Sequence, residues 1–244
     1  RIRLRATVVT AATSSSNGDM AFNANGDLFI VRGVGSSTEI YSVTAANFAA
    51  ANGGTIPSSQ SATISTMDSV NGVAFDSSGR AFLGSGVALR SYAMPNWSGA
   101  ANIVTSGLST TDLASCSSPA TITIEKYVQG ARVGTNDQFQ LRLTQGNTTL
   151  GTATTTGQHP GLQSQRVGPQ PTARGVTLNF SEVAAGTTNM NNYASSWSCY
   201  VDDEPMPGVS GTGTSGSVTI PSSGDVIECR FTNAPLVADV TVSK

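Results

Sequence analysis

Three strand-like stretches each place a polar, chemically capable side chain after two apolar ones. Side chains alternate across a strand. In "TITIEK" (121–126), Ile122, Ile124 and Lys126 therefore share a face, with Thr123 and Glu125 opposite. In "VTLNFSEV" (176–183), Leu178, Phe180 and Glu182 share a face. In "IECRFTN" (227–233), Cys229, Phe231 and Asn233 do so, opposite Glu228, Arg230 and Thr232. If the three faces build one core, an amine, a carboxyl and a carboxamide meet at its end. Those groups can form an intramolecular isopeptide bond. A desolvated lysine loses its charge and becomes a nucleophile, and a desolvated glutamic acid keeps its proton. The neutral acid polarises the Asn carbonyl and shuttles protons as ammonia leaves. Two other outcomes stay open for the same residues. Lys126 is then a strand-edge lysine with a solvated head, or an ion-pair partner of Glu182. Only two of the thirteen basic residues are lysines, Lys126 and Lys244.

The elements that must carry these residues are strands. The chain has 244 residues, enough for two domains. Charged residues make up 11% and hydrophobic ones 38%. The rest is rich in Gly, Ser, Thr, Asn and Ala, which serve turns and the solvent face of strands. The expected class is all-β: an incomplete propeller-like β-meander followed by a prealbumin- or immunoglobulin-like sandwich. A net charge of −2 gives no basic footprint for nucleic acid. No apolar run is long enough for a membrane span, and the opening "RIRLRATVV" has no apolar signal segment. The expectation is a mature or excised segment of an exported protein.

Residues 1–118 contain a degenerate repeat. "NGDMAFNANGDLF" (17–29) and "NGVAFDSSGRAF" (71–82) both run Ala-Phe, a polar turn, Gly, then Phe. Each predicts a hairpin, with "ATVVT" and "ATIST" as preceding strands and "TEIYSV" and "ALRSYA" as following ones. A third start is expected at "NIVTSGLSTTDLASC". The "AF-x-x-x-G-x-x-F" hairpins resemble those of sugar-lactonase and NHL-type propellers. Two and a fraction blades do not close a propeller, so either earlier blades precede Arg1 or the region is an open meander.

Residues 119–235 predict seven strands divided by turn residues, the size of a sandwich. A lysine in the first strand, "F-S-E-V-A-A-G" and a closing "R-F-T-N-A-P" resemble the prealbumin-like (CnaB-type, SpaA-like) domains of bacterial surface proteins and pilins. The resemblance implies a stalk module, often cross-linked between first and last strands. It assigns Lys126 as the amine, Asn233 as its partner and Glu182 as the acid. The long loop "TGQHPGLQSQRVGPQPTARG" (156–175) departs from that compact pattern. Cys199 and Cys229 lie in strand-like runs and read either as a disulfide or as two reduced core cysteines. Cys116 is left over. After Pro235, "VADVTVSK" copies "TITIEK" after Pro119. Residues 236–244, with Val240, Val242 and Lys244 in register, are expected to start a further repeat or to add as a strand to a neighbour.

Other residues suggest little chemistry. His159 sits in the Pro/Gly loop, and no Cys or His spacing suits a metal. "NANGD" and "DSSG" read as turns, "DDEP" (202–205) as a solvated acidic turn and "GVSGTGTSGS" (208–217) as a flexible loop. No cofactor is expected. The functional expectation is a structural or adhesive module of a bacterial surface protein or fibre. It would not be an enzyme beyond its own cross-linking. Its partners would be other copies of itself or neighbouring surface-protein domains, with no nucleic acid and no membrane insertion. The alternative is a carbohydrate-binding or lactonase-like propeller protein, with Asp19, Asp76 and Asp112 near strand starts.

Overall fold

The computed structural model describes residues 6–10, 18–22, 26–34, 36–64, 69–76, 78–108, 110, 112–115 and 118–236. Val240, Val242, Lys244 and Cys116 lie outside the described residues. Contacts divide the chain into two compact units. One comprises Arg1–Thr123, Gly168–Thr177 and Thr219–Ile227; the other comprises Ile124–Val167, Leu178–Val218 and Glu228–Lys244.

The architecture is all-β, as the alternation predicts. The first half carries β1 (Thr7–Val9), β2 (Gly18–Phe22), β3 (Leu28–Val34), β4 (Ser37–Val43), α1 (Ala45–Ala50), β5 (Thr55–Pro57), β6 (Ser59–Ile64), β7 (Val70–Phe75), β8 (Arg80–Ser85), β9 (Leu89–Ala93) and β10 (Ser98–Val104). These build two four-stranded sheets, ordered β2-β3-β4-β6 and β10-β9-β8-β7, and a small parallel pair of β1 with β5. The repeat is a structural repeat: Ala21 pairs with Phe29 as Ala74 pairs with Phe82. Its phase differs from the expectation in two places. "ATIST" supplies β6, the outer strand of the first sheet rather than the start of the second. "NIV" lies in β10, the fourth strand of the second sheet, and begins no third unit. Both shifts arise because β6 and β10 each find a partner edge in the meander already begun. Phe29, Val31, Ile40, Val73, Phe75, Leu83 and Tyr92 form the apolar core of this half.

The second half carries β11 (Ala120–Val128), β12 (Gln138–Gln145), β13 (Thr148–Thr154), β14 (Gly161–Leu162), β15 (Val167–Thr172), β16 (Thr177–Ala185), β17 (Tyr193–Val201), β18 (Glu204–Thr212), β19 (Ser215–Thr219) and β20 (Val226–Pro235). One sheet runs β14-β11-β20-β17-β18, with β15 also on β11. The other runs β13-β12-β16-β19. Thr121 N donates to Asp225 O and Gln129 N donates to Asn233 O. The constant offset means that β11 and β20, the first and last strands, run parallel.

Three stretches differ from the expectation. The long loop contains β14 and β15, because both sides of β11 need backbone partners. "GVSGTGTSGS" is the end of β18, a turn and most of β19, not a flexible loop. As expected, "DDEP" is a solvated acidic turn: it leads β17 into β18 with Asp202 and Asp203 both at positive φ, 49° and 68°, the backbone twist a tight hairpin requires. Finally, β11 is buried on both faces: Glu125, expected outside, is 2% exposed. Arg166 and Arg230 cover it, each donating to its carboxylate.

Candidate functional site: a buried amine, acid and amide

The apolar stripes of β11, β16 and β20 all point inward. Ile122, Ile124, Leu178, Phe180, Cys229 and Phe231 are buried, and Phe180 packs edge-on against Phe231 at 5.5 Å. The pleat then carries the next residue of each stripe to the same depth. Lys126 and Asn233 are fully buried and Glu182 is 1% exposed. β16 is held in register by β12, where Leu141 stands opposite Glu182, and by Glu182 N donating to Thr214 O. β11 is held by Gln163 N donating to Lys126 O on one side and by β20 on the other.

Lys126 Nζ lies 2.5 Å from Glu182 Oε2 and 4.5 Å from the centre of the Phe139 ring. Phe139 is fully buried and packs against Tyr193 and Val128. Burial, with a smaller contribution from the nearby Arg132, pulls the Lys126 amine from its ordinary 10.5 down to about 8, against the opposing pull of Glu182. Burial raises the Glu182 carboxyl above the usual carboxylate range, with Lys126 and the Asn233 carboxamide opposing that rise. Each shift moves its group towards the uncharged form. The five side-chain polar atoms of Lys126, Glu182 and Asn233 are buried without hydrogen bonds of ordinary geometry. Unsatisfied buried polar atoms are rare in folded proteins, and here they are concentrated in one trio. Removing two opposite charges from water costs several kcal/mol per ion, which the pair's attraction only partly offsets.

Cys199 and Cys229 form a disulfide joining β17 to β20, with their Cα atoms 4.1 Å apart. A loop of this length makes such a bond worth about 3–4 kcal/mol. The remaining candidates are local. Asp19 accepts from Met20 N and Val73 N, and Asp76 caps its turn by accepting from Ser78 and Arg80. Two of the three carboxylates named for the lactonase-like alternative thus bind backbone, and that alternative finds no support. Among the described residues, no group of three or more His, Cys, Asp or Glu could hold a metal ion. His159 contributes its backbone carbonyl, which accepts from Arg132 and Gln163. Sequence reasoning passed over Arg132, because nothing in "GARVG" shows which distant groups enclose it.

Residues 121–235 match the family model of the prealbumin-like fold domain. The structural neighbours are pilins and adhesins. The major pilin of Streptococcus pyogenes aligns over 95% of this chain and 96% of its own, at 12% identity and a TM-score of 0.30. An adhesin from Mobiluncus mulieris, described as containing intramolecular disulfide, isopeptide and ester bond cross-links, aligns over 96% and 95% at 12% identity and a TM-score of 0.31. The pilus adhesin SpaC of Lactobacillus rhamnosus GG, in its open conformation, aligns over 88% of this chain and 25% of its own, at 14% identity and a TM-score of 0.28. Scores this low leave the functional case resting on the residues of the site. No curated protein sequence matches the chain. No helix among the described residues is long and apolar enough to cross a membrane.

Proposed function

We propose that this chain is a structural module of a bacterial surface protein or fibre whose sandwich locks itself with a Lys126–Asn233 isopeptide bond. The supporting observation is the burial of amine, acid and amide together, with the amine in direct contact with the acid and the trio's polar atoms lacking hydrogen bonds of ordinary geometry. The uncharged Nζ attacks Cγ of Asn233 while Glu182, in its acid form, protonates the carboxamide. The Nζ–Cγ bond forms and the Cγ–Nδ2 bond breaks. One proton from Nζ returns to Glu182, and ammonia carries the leaving nitrogen away. Glu182 ends as it began, in its acid form, and a neutral amide replaces the buried amine. Enforced proximity supplies most of the rate. The chain has this single self-directed turnover and no other catalytic role.

The bond would tie the first strand of the sandwich to the last, and the disulfide ties the last to its neighbour. A pull along the chain then bypasses the hydrogen bonds between those strands. That mechanical role suits an extracellular stalk. Intact-mass measurement on the reduced protein tests it: the expected result is a loss of one ammonia, with fragments containing Lys126 and Asn233 joined. Glu182→Gln should restore the full mass. A wild-type chain of full sequence mass would refute the cross-link, and a cross-linked Glu182→Gln chain would refute the acid's role.

The tail offers a second contact. Because "VADVTVSK" repeats the pattern of the first sandwich strand, we assign it as a strand that adds to the sheet edge of a neighbouring copy or domain. Main-chain hydrogen bonds supply the affinity in such pairings.

A further inference from the structure

The loop that departs from the compact pattern builds a cage beside the reactive amine. Arg132 lies four residues beyond the end of β11 and is 8% exposed. Its Nε donates to Asp137 O (2.7 Å), Nη1 to His159 O (2.9 Å) and Nη2 to Gln163 Oε1 (2.9 Å). Two of these three acceptors come from the 156–166 loop, and all three are neutral. The loop is anchored to the strand of Lys126 itself. Gln163 N donates to Lys126 O, while Gly161 and Leu162 pair with Val128 and Tyr127. No ion pair among the described residues includes Arg132. The nearby carboxylate, Asp137, instead accepts from Tyr193 Oη (2.6 Å) and Gly134 N (2.8 Å). A guanidinium whose direct acceptors are neutral keeps a field that the Asp137 carboxylate only partly offsets.

That field reaches Lys126. The Arg132 Cζ lies 5.9 Å from the centre of the Phe139 ring, and Lys126 Nζ lies 4.5 Å from the same centre. The two cations can be no further apart than those two distances combined. They are separated by protein rather than water, so their repulsion is weakly screened.

We propose that Arg132 is a positioning residue for the cross-link: caged by the 156–166 loop, it holds the Lys126 amine in its reactive, uncharged form. This rests on the isopeptide chemistry proposed above. Arg132 acts on the amine in the same direction as burial, while Glu182 opposes both. The charged groups acting on the amine are Glu182 from β16 and Arg132, with Asp137 and Tyr193 behind the guanidinium. Glu125, Arg166 and Arg230 occupy the opposite face of β11. Like charge nearby disfavours the ammonium form, and Asp137 weakens that effect.

The test follows ammonia loss by intact mass after refolding unreacted chain at a series of pH values. Wild type should show a bell-shaped rate profile. Arg132→Gln should slow the plateau by about three- to ten-fold and move the alkaline limb up by about half a unit to one unit. Arg132→Lys, which keeps the charge but loses the fork, should stay near wild type. Asp137→Asn, whose carboxamide oxygen still accepts from Tyr193 and Gly134, should move the limb the opposite way. A purely structural role would slow the reaction without moving the limb, and would impair Arg132→Lys as well. An unmoved limb in folded Arg132→Gln overturns the inference, and so does an unmoved limb in Asp137→Asn if Arg132→Gln fails to fold. Absence of ammonia loss in wild type defeats the cross-link itself, a separate result.

Discussion

Lys126 is the residue on which the rest turns. A fully buried amine is costly when charged, and here the cost is shared between an adjacent carboxyl and proximity to a carboxamide. The un-cross-linked state can be isolated with Glu182→Gln, which removes the ion that holds the amine up. In that variant the folded amine should fall below about 8, since Glu182 is what opposes the desolvation. The unfolded amine stays near 10.5. Between those values the unfolded chain binds more protons than the folded one, so stability must rise with pH. Urea denaturation of Glu182→Gln at about pH 7, 8 and 9 should show increasing midpoints. A flat or falling series would mean that the amine is solvated. The wild-type chain, once cross-linked, has no amine to titrate there and should lack this rise.

At the scale of elements, the sandwich depends on strands approaching closely where large rings meet. Trp197 on β17 packs edge-on against Phe180 at 5.2 Å. Gly216 on β19 lies against both rings, and a Cβ there would come within 2.6 Å of Phe180 and 2.7 Å of Trp197. Neither contact can relax without moving a ring, so Gly216→Ala should destabilise the sandwich by about 1–3 kcal/mol. Gly86, whose added Cβ would meet nothing within 4 Å, is the matched control. Its alanine variant should change the thermal midpoint little. Equal effects of the two substitutions would show that ring packing does not set the β16–β19 spacing. The same glycine-rich stretch reads as a flexible loop by composition alone. Its strand character appears only once Ser196, Trp197 and Ser198 stand opposite Thr212, Gly211 and Ser210.

For the whole molecule, the chain combines two meander sheets related by a 53-residue repeat with a sandwich whose first and last strands run side by side. Strand addition by the tail would join copies head to tail, a contact that does not close on itself. If so, sedimentation of the full chain should show concentration-dependent association, and a chain ending at Leu236 should remain monomeric under the same conditions. A full chain that stays monomeric at all concentrations would exclude the tail as a strand donor to its own kind.

Much of this was legible residue by residue. The two-residue pleat is local, so Lys126, Glu182 and Asn233 could be placed on inward faces without knowing what lay across the core. The repeated hairpins of the first half were legible for the same reason, through their turn glycines and spacing. Long-range pairing decided the rest. Whether Cys199 and Cys229 were joined, which sheet claimed β6 and β10, and why Glu125 is covered all depend on segments distant in sequence. So does the cage around Arg132, whose acceptors come from residues 137, 159 and 163. Alternation specifies which way a side chain points; only the closed fold decides what it meets, because an electric field or a covalent bond depends on distances that no local pattern encodes.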